Sequence, residues 1–229
     1  MQFKIIPQKI LCINLNDFLM NHYSHSFEQL KNFVFLDISL ERFNSLKAGQ
    51  RLKLSEILEL TKKFNIGNIG KKTEILKKAW SENENLIFRE IKSRTNLNLS
   101  TDKMICYLDP YTRLGFYSEG KSITISSELP IKDSLMVITH EIFHICYWNK
   151  VFELGLSDRK NLKKFEWDLS EVTVYFLLKE RNFNKFWSNI NINLYPNIIE
   201  VYEKVKNIWP DSTFDNYLLN SYRLLNQNE

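Results

Sequence analysis

The stretch Pro130-Ile-Lys-Asp-Ser-Leu-Met-Val-Ile-Thr-His140-Glu-Ile-Phe-His144-Ile-Cys-Tyr-Trp-Asn-Lys150-Val-Phe-Glu-Leu-Gly155 reads as one long helix that is apolar nearly all round. A helix apolar on every side is a buried one. Yet three polar side chains, His140, Glu141 and His144, stand within one of its turns. Residues four apart lie on the same helical face, so both imidazoles can reach one metal ion. Glu141 is rotated by about 100° from His140, where it can hold a metal-associated water without being a ligand. Zinc at such a place lowers the pKa of its water to about 7, which suits a carboxylate general base. The rival reading is a pair of core histidines that meet only backbone or a buried water. Leaving three such groups unpaired in an apolar helix is costly, and a single Zn²⁺ with its water satisfies them together.

Catalytic zinc takes three protein ligands and keeps one position open. The best third ligand is Glu171, at the start of a second apolar stretch read as a helix from about Asp168 to Arg181. Asp168 followed three residues later by Glu171 also matches a capping box, in which Glu171 only satisfies a backbone N–H. The apolar run after it, Val172 to Leu178, favours a carboxylate directed at the core. Asp168, Glu166 and Asp158 are the fallback ligands, in that order.

His140 to His144 with a downstream helix glutamate at Glu171 resembles the zincin-like metallopeptidases of the gluzincin type, over about Lys121 to Leu178. No histidine follows His144, so the third-ligand extension of the metzincins is absent, as is the Asn-Glu pattern of thermolysin-like enzymes. The resemblance implies hydrolysis of peptide bonds in a peptide or protein substrate. It also implies a small sheet whose edge strand, Lys121 to Ser126 with Ile123, Thr124 and Ile125, lies beside the substrate. Peptides bind such edges by adding a strand. A peptidase also needs a donor for the oxyanion. Tyr175 and Tyr147 are the candidates, although each is more often a packing residue. Two other readings stay open. One is a zinc hydrolase of a non-peptide amide, and the other is a non-catalytic binding protein on the same scaffold.

Outward from this core, Met104 to Leu108 and Leu114 to Tyr117 are short apolar runs. Lys121 to Ser126 is rich in β-branched residues, with Glu119-Gly120 as a hairpin turn between the last two. The expected fold is α+β, helix-dominated, with a small mainly antiparallel sheet. Upstream, Phe3 to Pro7 and Lys9 to Leu15 read as strands, and Asp17 to Lys31 and Leu52 to Phe64 as helices. Thr73 to Arg94 reads as one long helix or two shorter ones, after a turn at Asn65 to Gly70. Downstream, Pro196 is a first-turn residue, Pro210 a break, and Tyr217, Leu218, Tyr222 and Leu225 lie on the last helix. Residues 1–100 are thus expected as a mostly helical N-terminal region and 101–229 as the catalytic region, joined in one compact unit.

A net charge of +4 is weak for a chain of 229 residues. Lys62-Lys63, Lys71-Lys72, Lys77-Lys78 and Lys163-Lys164 look like solvated helix faces, so no nucleic-acid partner is expected. Cys12, Cys106 and Cys146 form no C-x-x-C pair, which argues against a disulfide framework. The apolar residues of Met1 to Leu15 are broken by Lys4, Pro7, Gln8 and Lys9, unlike a signal peptide. With no long apolar stretch for a membrane span, a cytoplasmic protein is the expectation. His22 and His25 have the spacing of one helix face but no acidic neighbour to make a second metal site.

Overall fold

A computed structural model describes residues 1–7, 39–48, 50–53, 55–56, 59, 67–99, 104–110, 115–118, 122–158, 162–184, 186–187 and 192–226. The expectations for Lys9 to Leu15, Asp17 to Lys31, most of Leu52 to Phe64, Lys62-Lys63, Glu119-Gly120, Cys12, His22 and His25 lie outside the described residues. Two compact units are present: Met1–Ala79 with Asp102–Ser134, and Trp80–Thr101 with Leu135–Glu229. The expected division at residue 100 is crossed by the sheet of the first unit, which joins residues 2–5 to residues 105–109.

That sheet has the order β1-β2-β4-β3, with β1 at Gln2–Ile5, β2 at Ile105–Asp109, β3 at Phe116–Ser118 and β4 at Ser122–Ser126. The expected hairpin exists, since β3 pairs antiparallel with β4. The mainly antiparallel sheet does not, because β1, β2 and β4 run parallel. Burial explains the difference. Cys106 to Asp109 and Ile123 to Ser126 are all buried, so both faces of these strands are covered. Such strands are the kind that parallel sheets use, and their unbroken apolar runs carry no sign of direction. β4 is also an interior strand, paired with β2 on one side and β3 on the other. Ile123 and Thr124 therefore spend their backbone on the sheet, and all three side chains at 123–125 are buried. Among the described residues the edge strands are β1 and β3, not β4.

Helix α1 is Leu40–Lys47 and α2 is Gly67–Thr95, a single uninterrupted helix. The expected turn at Asn65 to Gly70 is thus partly helical: Ile69 is buried and accepts from the Thr73 hydroxyl at 2.8 Å, anchoring the first turn. Lys72 is not a solvated lysine, since its ammonium donates to the carbonyls of Ser127 and Leu129 just after β4.

In the second unit, α3 (Ile131–Glu153) and α4 (Lys164–Lys179) precede the short α5 (Arg181–Asn184). Then come a 3₁₀ turn at Pro196–Ile198, α6 (Ile199–Val205) and α7 (Phe214–Asn226). Pro196 opens its turn as expected, and Tyr217, Leu218, Tyr222 and Leu225 are the buried stripe of α7. Buried hydroxyls bind α7 to the two long helices. Tyr147 donates to the Glu166 carbonyl at 3.1 Å and meets Tyr222 at 3.2 Å, while Thr173 meets Tyr217 at 3.2 Å. Arg94 lies 4.1 Å over the Trp209 ring, donates to the Ser212 carbonyl and pairs with Glu180 at 3.2 Å. Among the described residues no helix is long and apolar enough to cross a membrane.

α3 stops in a Schellman arrangement, with Gly155 N–H donating to the Phe152 carbonyl and Leu156 N–H to that of Val151. Gly155 has φ +66, and a Cβ there would meet nothing within 4 Å, so the cost of alanine is the left-handed backbone alone. Gly155→Ala is expected to destabilise the protein by about 1–2 kcal/mol. A Cβ on Gly70, inside α2, also meets nothing, and Gly70→Ala is expected to stabilise by roughly 0.5–1 kcal/mol. Opposite shifts in urea midpoints check both; equal signs would contradict the backbone argument.

Candidate metal centre

The α3 helix presents His140 and His144 from consecutive turns of one face, with their Nε2 atoms 3.0 Å apart. The carboxylate of Glu171 comes from α4, with Oε1 3.3 Å from His144 Nε2 and Oε2 3.8 Å from His140 Nε2. One ligand atom from each of the three residues can be chosen so that all lie within 4.8 Å of one another. Zinc bonds of about 2.0–2.2 Å at tetrahedral angles would separate ligand atoms by roughly 3.4 Å, so the spacing suits this ion. The donors also have the right character, two imidazoles and a carboxylate. Moreover, Glu171 Oε2 is buried and accepts no hydrogen bond, which leaves a lone-pair site facing the histidines.

The capping alternative for Glu171 fails because α4 begins earlier than its sequence suggests. The cap carboxylate is Glu166, which accepts the Lys163 N–H at 2.6 Å. Glu171 lies two turns further in. Asp168 accepts from Lys164 at 3.0 Å, one turn away on its own helix. Among the described residues, none of Glu166, Asp168 and Asp158 belongs to the cluster.

Electrostatics separate the roles of the four groups. Burial, reinforced by His144, pulls the His140 pKa down to about 3, so this imidazole is neutral and ready to ligate. Burial opposes charge on His144 and on Glu171, but their mutual hydrogen bond and attraction outweigh it. The His144 pKa is raised and that of Glu171 lowered. The two groups thus attract each other at the place where a divalent ion would bind. Glu141 is buried, and that burial pushes its pKa up to about 7 against the pull of His144.

Two further residues belong to the site that the sequence did not single out. Ser170 Oγ is 2.7 Å from His144 Nδ1 and accepts its N–H in the tautomer that leaves Nε2 free. Tyr195 joins His140 and Glu171 in lining a cavity of about 260 Å³, and its pKa is raised by burial and by the charges of Glu171 and Glu141. The only signal for either was adjacency: Ser170 precedes Glu171, and Tyr195 precedes Pro196. Of the expected oxyanion donors, Tyr175 lines the same cavity. Tyr147 does not serve, because its hydroxyl is held in the buried network with Tyr222 and the Glu166 carbonyl. Compared with protein-family models, curated proteins and solved structures, the chain matches none of them.

His144→Ala and Glu171→Ala are each expected to abolish stoichiometric zinc uptake, measured by chelator competition on purified protein. Glu166→Ala should retain the ion and lose about 1 kcal/mol of stability as a cap. Ser170→Ala should weaken zinc affinity by roughly 10- to 100-fold. Because the ion displaces the proton on His144, affinity should rise as pH rises through that group's raised pKa and fall below it. Affinity independent of pH would remove His144 from the ligand set.

Proposed function

We propose that this chain is a zinc-dependent metallopeptidase. One Zn²⁺ would be held by His140, His144 and Glu171, and Glu141 would act as general base. The observation that carries this reading is convergence: two imidazoles from α3 and a carboxylate from α4 meet within 4.8 Å, with the buried Glu141 beside them. When bound, zinc supplies Lewis acidity and lowers the pKa of water at its open position.

The chain's own residues account for the proton movements. Glu141, buried next to His140 on α3, is the carboxylate that would take a proton from the attacking water and return it to the departing amine nitrogen. Tyr195 and Tyr175 line the cavity at the ligands, and Tyr195 interacts with both Glu171 and Glu141. The raised pKa of Tyr195 keeps its phenol protonated, so it can donate a hydrogen bond to the carbonyl oxygen as negative charge develops there. Ser170 orients His144 without touching substrate.

Glu141→Gln separates chemistry from metal binding. The variant is expected to keep full zinc content and to lose hydrolysis of an unstructured protein such as casein by at least about 10²-fold. Undiminished cleavage by the zinc-loaded variant would remove Glu141 as the base. A fully loaded wild type that cleaves neither casein nor a peptide library would favour the non-catalytic scaffold.

A further inference from the structure

The cavity at the metal centre has one polar end and one apolar wall. His140 and Glu171 form the polar end. Met136, Leu178, Ile192, Leu194 and Ile198, with the Tyr175 ring, form the apolar wall, and Tyr195 completes the lining on the far side. Met136 lies one turn before His140 on α3, and Leu178 lies on α4 beyond Glu171. The non-helical segment from Ile192 to Tyr195, leading into the 3₁₀ turn, supplies the facing wall. Asn193 also lines it, at the exposed side. Among the described residues, no lining residue other than His140, Glu171 and the two phenols carries a titratable acid or base.

Size restricts the occupant. Pockets for whole drug-sized ligands run to about 300–1,000 Å³, whereas an apolar cavity of about 150 Å³ already holds a benzene. At about 260 Å³ the space suits one large side chain rather than a drug-sized ligand. Chemistry restricts it further. A lysine or glutamate placed there would lose its hydration against aliphatic walls without a free partner, because Glu171 is committed to the ion.

We infer that this cavity is a specificity pocket for one bulky apolar side chain, such as leucine or phenylalanine, on a peptide residue next to the bond that is cut. Its determinants are Ile192 and Leu194 from the segment after α5, facing Met136 and Leu178. The inference rests on the metallopeptidase reading above. It moves substrate recognition away from Ile123, Thr124 and Ile125 and onto a downstream segment of the second unit.

The test uses the zinc-loaded full chain and a series of N-acetyl amino-acid hydroxamates bearing leucine, phenylalanine, alanine, lysine or glutamate side chains. Titration calorimetry measures each dissociation constant. Leucine and phenylalanine hydroxamates are expected to bind at least about tenfold more tightly than alanine, and lysine and glutamate more weakly still. Leu194→Asp should erase that ranking while zinc content is unchanged. Leu194→Ala, a milder change in a half-buried position outside any helix, should narrow it if the aspartate variant does not fold. Equal affinity for all five probes on zinc-loaded protein overturns the pocket and leaves the metal centre standing. So does a wild-type ranking in the folded Leu194 variant. Failure of the wild type to take up zinc overturns both.

Discussion

The Glu171 carboxylate stands opposite two imidazoles that α3 holds one turn apart, at a cavity whose wall is largely apolar. Each of these groups is expensive to bury alone. Brought together, His144 and Glu171 favour each other's charged forms, so the His144 pKa is raised and that of Glu171 lowered. A divalent ion at the same position would bring more charge and would satisfy the Glu171 oxygen that accepts no hydrogen bond among the described residues. The spacing of α3 and α4 matters because it makes this three-way meeting possible.

That spacing is set by groups outside the cluster. The Tyr147 hydroxyl on α3 reaches the Glu166 carbonyl in the first turn of α4, and Tyr222 of α7 meets the same hydroxyl. Thr173, on the turn beyond Glu171, touches Tyr217 of α7. The hydroxyls of α7 therefore bridge both helices that carry ligands. Buried phenols of this kind contribute large apolar area and still need a polar partner, so each bond also restricts how the helices can slide. Ser170 adds a local restraint by fixing the ring of His144 through its other nitrogen.

Charge and solvent access divide the site into a chemical end and a recognition end. Glu141 is buried next to His140, and that burial lifts its pKa towards neutrality. Tyr195 is half exposed and comes from an irregular segment that approaches the ligands from the far side of the cavity. A rigid helix pair holding the ligands and a less regular wall facing them is the division of labour expected of a binding cleft.

The sequence by itself determined the ligand helix, its burial, the paired histidines, the β3–β4 hairpin and the buried stripe of α7. Each is a local pattern, set by a period of 3.6 or 2 residues or by a turn between neighbours. Only the tertiary structure removed Glu171 from the capping role, because α4 starts at Lys164 and leaves Glu166 to do the capping. It alone showed that β2 runs parallel to β4, since strands buried on both faces read the same in either direction. It also showed Tyr195 at the cavity, Tyr147 held in a buried network away from it, and Ser170 against His144. The reason is common to all four: they depend on which groups from separate elements converge in space, and no spacing along the chain encodes that.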